Sequence, residues 1–294
     1  MLERLFASRR HPYIPHRNER EKISIDLSGN RVEFFLPPHT CHDSFAEFKL
    51  NYPEKINIFD GSDYNDDSDC EDMEREGVAR QCLMERSWEI FGPIWRSRPI
   101  GTIDFKLILN RHDTLPYSMS CLNPKHFEQV VMRCLYYWGP GNPNDHVQKA
   151  PVNWKLYKLG EATAIFLERH RLNPPEVLKN NRHHETYFTS SFFIPLDRAH
   201  YLTLNFRYLG YAPVKHCLVA MNSIRDAVCN SVSLQLGIDI KKQLAEVQRH
   251  RPNDKASTKR ELEPWVYPEW HRGGEFDEDI IITKPGSPPP AWLD

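Results

Sequence analysis

The chain has 294 residues, of which 40% are hydrophobic and 12% aromatic, enough to bury a substantial core, so wholesale disorder is excluded. Against 38 Lys and Arg stand 40 Asp and Glu, and the formal net charge of −2 argues against a dedicated nucleic-acid binder. No apolar run approaches the roughly eighteen residues that cross a bilayer, and the first residues lack the apolar stretch of a secretory signal.

In chain order, residues 1–22 form a basic N-terminal arm. Residues 23–27 and 32–36 both alternate polar and apolar, and Ser28-Gly29-Asn30 between them predicts a β-hairpin with a three-residue connection. A short strand is expected at 55–59. Residues 72–86 predict a helix with Val78, Cys82 and Leu83 on its buried stripe. The alternation around Ile103, Phe105 and Leu107 predicts a strand. A helix follows, capped by Asn123, opened by Pro124, lined by Phe127, Val130, Val131, Cys134, Leu135 and Trp138, and stopped by Gly139. Residues 152–159 and 162–167 pair across Gly160-Glu161. A second hairpin joins 186–196 to 201–209, with Leu202, Leu204, Phe206 and Tyr208 facing one way and Thr203, Asn205 and Arg207 the other. Pro213 opens the longest predicted helix, about 214–236, and a shorter one covers 240–250.

From Arg251 onward Pro, Gly and acidic residues dominate, with Trp265, Trp270 and Trp292 among them. Such a tail lacks a core of its own and is expected to be extended on the body or disordered. The predicted fold class is therefore α+β, with mainly antiparallel β-hairpins packed against a few amphipathic helices. The globular body spans 23–250, with a candidate break between subdomains near 139–151, and the tail spans 251–294.

The strongest chemical signal is acidic. Residues 60–76 hold 9 carboxylates and one arginine. Aligned to a calcium loop, Asp63, Asn65, Asp67, Asp69, Glu71 and Glu74 take the ligand positions, but Ser68 stands where the sharp turn needs glycine. The run reads better as a hydrated contact surface that steers a basic partner. Its carboxylates Asp60, Asp63, Asp66, Asp67, Asp69, Glu71 and Asp72, with Trp265 and Trp270, are the predicted partner-binding residues.

Other constellations are weaker. His39, Cys41, His42 and Asp43 gather ligand types but have no distant second pair to complete a zinc site. His183-His184-Glu185 reads as a solvated entry to a strand. Asp104-Phe-Lys106 and Glu47-Phe-Lys49 have a nuclease-like acid-x-Lys spacing without the upstream acid. Cys217, beside His216, belongs to an apolar stripe. The 7 cysteines show no C-x-x-C spacing, which with the missing export signal predicts reduced thiols and a cytoplasmic location. No nucleotide loop, hydrolase elbow or metalloprotease motif is present. No catalytic residue, metal or cofactor is predicted, and direct nucleic-acid or membrane binding is not expected.

In the layout of residues 20–240, with the hairpin Phe192-Phe-Ile-Pro-Leu196 to Tyr201-Leu-Thr-Leu204 followed by the helix from Val214, the chain resembles the single-domain α+β immunity proteins and effector adaptors found beside bacterial type VI secretion effectors. The resemblance implies neutralisation of a cognate toxin, a nuclease among the candidates, by direct occlusion in the cytoplasm. An effector adaptor or chaperone is the nearby variant, and an enzyme of unrecognised family is the alternative from a different class. The resemblance carries over no functional residue.

Overall fold

A computed structural model describes the chain except for residues 1, 9, 42–48, 63, 65–76, 141–146, 173–185, 211–216 and 275–278. The described residues form an α+β fold with three α-helices and twelve strands.

Its centre is a six-stranded antiparallel sheet of β4 (Val78–Phe91), β5 (Pro99–His112), β6 (Val147–Leu159), β7 (Ala162–Leu172), β8 (Thr186–Pro195) and β9 (His200–Gly210), in the order β4-β5-β9-β8-β7-β6. A smaller sheet contains β1 (Glu21–Leu27), β2 (Asn30–Leu36), β3 (Lys55–Ile56) and β10 (Ser233–Gln235), in the order β10-β2-β1-β3. The β1–β2 register pairs Leu27 with Asn30, so the turn has two residues where three were expected. Positive φ at Ser28 (53°) and Gly29 (91°) gives it the twist that matches the flanking strands.

The helices are α1 (Pro124–Trp138), α2 (Leu218–Ser231) and α3 (Ile238–His250). As the sequence predicts, the Asn123 side chain caps α1 by accepting from the Lys125 and His126 backbone N–H groups. α1 covers one face of the large sheet, where Phe127, Val130, Val131 and Leu135 meet Ile165, Leu167, Phe193 and Tyr201. The opposite face packs Phe105, Leu204 and Phe206 against Ile25 and Phe34 of the small sheet and Met221 and Ile224 of α2. Close packing there requires Gly101, since a Cβ would lie 2.8 Å from the Leu209 carbonyl and 2.9 Å from Met221.

Two expected helices are corrected. Residues 78–86 belong to β4, whose residues Val78–Met84 are all buried. A strand covered on both faces loses its alternation, and the register shift between Cys82 and Met84 breaks what period remains. The spacing of Val78, Cys82 and Leu83 then mimics a helical stripe. Residues 72–76 lie outside the described residues. The helix expected over 214–236 is described from Leu218 and ends at Ser231, where Val232 turns the chain so that β10 can pair with β2. Residues 214–216 lie outside the described residues.

β4 is an edge strand, and other chain segments cover it. Ser87 accepts from Thr40 N–H (3.0 Å), the Trp88 indole donates to the Pro38 carbonyl (2.9 Å), and Glu85 N–H donates to the Lys49 carbonyl (2.8 Å). An uncovered edge would offer a template for foreign strands.

In the tail, Trp154 Nε1 donates to the Ser257 carbonyl (2.6 Å), Glu263 N–H to the Ala150 carbonyl (2.9 Å), and the Tyr267 hydroxyl bonds the Gln148 backbone at both N–H (2.7 Å) and carbonyl (2.9 Å). A hairpin follows, made of β11 (Glu269–Gly273) and β12 (Asp279–Lys284). The last residues return to α1, where Gln129 exchanges two 2.7 Å hydrogen bonds with the Leu293 backbone. No helix among the described residues is long and apolar enough to cross a membrane.

Candidate functional site

Of the predicted acidic surface, Asp63, Asp66, Asp67, Asp69, Glu71 and Asp72 lie outside the described residues. Asp60 is exposed, and the hydrogen bond that its carboxylate accepts from Ser62 N–H (3.0 Å) holds its pKa below the usual range. Tyr64 is buried. Its hydroxyl donates to the Ile58 carbonyl (2.7 Å), the Arg111 guanidinium stacks on its ring at 4.5 Å, and burial raises its pKa.

The two tryptophans have different surroundings. Trp265 stands edge-on to Tyr136 (centroids 5.8 Å apart) and packs against Gly139, so α1 engages much of its indole. Trp270 lies on β11, opposite Ile282 of β12. This hairpin forms a two-stranded sheet with no third strand among the described residues. Ile280, Ile281 and Ile282 are 49%, 43% and 51% exposed. A run of three half-exposed isoleucines on a strand with a free edge is a surface suited to partner binding through backbone pairing and apolar contact.

A second apolar surface escapes sequence reading. The turn of 3₁₀-helix at Leu2–Phe6 is held by Arg4, whose guanidinium stacks on Phe91 at 4.5 Å and donates to the Arg96 carbonyl (3.3 Å). That clamp ties a segment carrying exposed Leu5 and Phe6 to one carrying exposed Ile94 and Trp95, with Phe6 and Trp95 83% and 82% accessible. Exposed large aromatics of this kind are typical anchors in protein interfaces.

Those of the remaining sequence candidates that are described have structural partners. His39 Nδ1 accepts from Ser87 N–H (2.9 Å), while His42 and Asp43 lie outside the described residues. Asp104 accepts from Ser87 (2.7 Å) and pairs with Arg207 (2.9 Å), and Lys106 pairs with Glu85 (3.1 Å). The two ends of that acid-x-Lys tripeptide therefore serve cross-strand pairs. Glu47, His183, His184, Glu185 and His216 lie outside the described residues. Cys217 is buried, which pushes its thiol up to about 11 and leaves it inert as a nucleophile at neutral pH. Among the described residues no group of three His, Cys, Asp or Glu could hold a metal ion.

A cleft of about 310 Å³ opens between the start of α1, the end of α3 and residues 117–120. His126 lies within it, accepting from Ser120 N–H at Nδ1 (3.3 Å). Its Nε2 faces the Arg251 guanidinium at 3.3 Å and the Asp294 carboxylate at 3.7 Å. Burial and the neighbouring Arg251 charge lower the His126 pKa. The Asp197–His200 pair at the β8–β9 turn is closed. Asp197 accepts from the backbone N–H groups of Ala199 and His200 and from His200 Nδ1, all at 2.8–2.9 Å, so it holds the turn.

His112 gives a pH prediction. Burial, reinforced by the Arg133 charge, pushes its pKa down to about 4. The unfolded chain takes up this proton near pH 6.5, so the contribution of His112 to stability is complete above 6.5 and falls away as pH drops to 4. The slope reaches about 1.4 kcal/mol per pH unit. Denaturant titrations from pH 7.5 to 4.5 are expected to show this decline, and His112→Gln is expected to reduce it, leaving the part due to His126. An unchanged slope in the variant would place the acid sensitivity elsewhere.

No protein-family model and no curated protein matches the chain.

Proposed function

We propose that this chain is a non-catalytic, cytoplasmic protein-binding protein that works by occluding a partner. Within that class, the immunity proteins that neutralise a cognate bacterial toxin are the reading we favour, with an effector adaptor as its variant. One observation carries the proposal: the β11–β12 hairpin presents Trp270 and Ile280–Ile282 on a two-stranded sheet with a free edge. A two-stranded hairpin is marginal alone, and such an apolar strand exposed in isolation is an aggregation hazard unless a partner covers it. The density of carboxylates in 60–76 complements this surface kinetically, since it would speed encounter with a basic partner such as a nuclease.

The test couples binding to protection. A stoichiometric partner recovered from the native cytoplasm is co-expressed with the parent chain or with Trp270→Ser/Ile282→Ser. The parent is expected to relieve the partner's toxicity. The double variant is expected to melt within about 2 °C of the parent, because both positions lie outside the main cores, yet to bind at least 100-fold more weakly, in the range of two hot-spot losses. Full protection by the double variant would remove the hairpin from the interface. Turnover of a metabolite by purified protein, with no partner retained, would favour an enzyme.

A further inference from the structure

We infer that the α1-covered face of the large sheet contains a binding site for a small oxyanion, built around Arg80. The residue lies on β4 and is 7% exposed, yet its Nε and Nη1 have no hydrogen-bond partner. Arginine does not shed its charge in proteins, and a buried charge left uncompensated is costly. The guanidinium therefore requires an acceptor that the described protein atoms do not supply.

The cavity next to it has the matching chemistry. It measures about 40 Å³ and is lined by Arg80 and Arg169, with Asn110, Ser191, Thr203 and Asn205 among its polar residues, and with no carboxylate. The register places these side chains on one face: Arg80 opposite Asn110 opposite Tyr201, and Asn205 opposite Ser191. Two carboxylates of the same face, Glu85 and Asp104, are committed to Lys106 and Arg207.

Hydrogen bonds within the lining leave neutral donors beside Arg80. Asn110 Nδ2 donates to Thr203 Oγ1 (3.0 Å), which leaves the threonine O–H free to donate. Ser191 donates to Asn205 Oδ1 (3.1 Å), which leaves the Asn205 Nδ2 as a donor. The Arg80 guanidinium, a hydroxyl and an amide N–H around one cavity select a negatively charged acceptor. Water could fill part of the space, since one water needs roughly 10–15 Å³ on this measure, but it would not neutralise Arg80. An oxyanion does both. The same chemistry serves a free phosphate ion or the phosphate end of a larger ligand.

Titration of the full chain with inorganic phosphate against chloride of equal ionic strength tests the site. Saturable one-to-one heat is expected, with a melting temperature raised by about 3 °C at ten times the dissociation constant. Phenyl phosphate separates the two sources: tighter binding than inorganic phosphate places the anion on a larger ligand, and weaker binding indicates the free ion. Arg80→Met is expected to abolish the response and to melt no lower than the parent in phosphate-free buffer. Asn205→Asp, which supplies an internal carboxylate, is expected to abolish phosphate binding and raise the melting temperature, and it provides the test should Arg80→Met fail to fold. An absence of saturable binding up to about 50 mM phosphate, or an undiminished response in Arg80→Met or Asn205→Asp, would overturn the inference.

Discussion

Arg225→Met is expected to destabilise the fold by about 3–5 kcal/mol, because it leaves Glu168 buried and ionised without its counter-ion. The two residues are 5% and 7% exposed and meet at 2.5 Å. Arg225 comes from α2, Glu168 from β7, and the same guanidinium nitrogen reaches Ser190 of β8 (3.3 Å) and Tyr208 of β9 (3.2 Å). One side chain thus fixes the helix against three neighbouring strands. Glu168 also accepts from Asn153 (2.8 Å) and is bonded to His170 (3.0 Å), so the carboxylate cannot relax towards water after its partner is lost. Glu168→Gln is expected to cost less, since the amide keeps part of the hydrogen bonding. A double change of both residues to apolar side chains of similar size is expected to recover a large part of the loss. Chemical denaturation at neutral pH measures all three. Equal costs for the single and double variants would mean that packing around Arg225, rather than its charge, holds α2.

The pair also has a pH signature. Burial pushes the Glu168 carboxyl up, but the hydrogen bond with His170, the Arg225 charge and the Asn153 amide outweigh it and leave the pKa below the ordinary value of 4.5. A depressed carboxylate contributes stability that is complete above the unfolded pKa and is lost as pH falls through the folded one. The contribution of Glu168 therefore fails in strong acid, below the window in which His112 acts.

Much of this scaffold is legible in the sequence where a single face of an element is buried. The alternation in β9 separates Leu202, Leu204 and Phe206 of the main core from Thr203, Asn205 and Arg207 of the polar face, and the register confirms that division. The cap and stop of α1 are equally local. Legibility fails where tertiary context overrides local pattern. β4 is buried on both faces, so its residues carry no period, and Arg80 looks like an ordinary surface arginine. β10 is three residues long and exists because β2 offers it an edge. Exposure of Trp95 and Phe6 has no local signature either, since an apolar residue reads as core until the fold leaves it outside. Trp270 stays only partly buried, in keeping with a tail that lacks the apolar density to cover it. Trp265 has the same composition around it, but Tyr136 and Gly139 of distant sequence provide its packing.

Glu128→Ala is expected to release the first part of the tail from α1, costing about 3 kcal/mol of docking free energy. Glu128 is 6% exposed and holds the tail at two points, accepting from the Ser257 N–H (2.5 Å) and forming an ion pair with Arg260. Arg260 continues to Glu263 (3.2 Å), which accepts from the Tyr136 hydroxyl (2.8 Å), so a chain of charged and polar groups runs from helix to tail and back to the helix. Removing the carboxylate strands a backbone N–H and a half-buried guanidinium together. Of the remaining contacts, Trp154 to Ser257, Ala150 to Glu263 and Gln148 to Tyr267 join the tail to β6, while Tyr136 to Glu263 and Tyr136 to Trp265 still touch α1. They keep the segment near the sheet but do not satisfy those two groups. Limited proteolysis reads this directly, because cleavage of a transiently opened segment tracks the population of the open form. A cost of about 3 kcal/mol corresponds to roughly 100-fold faster cleavage within 251–268, with the body still intact. Unchanged cleavage would show that the contacts to β6 and Tyr136 anchor the tail without Glu128. The outcome bears on function, since the β11–β12 hairpin follows this segment, and a surface that captures a partner gains affinity when its attachment is already ordered.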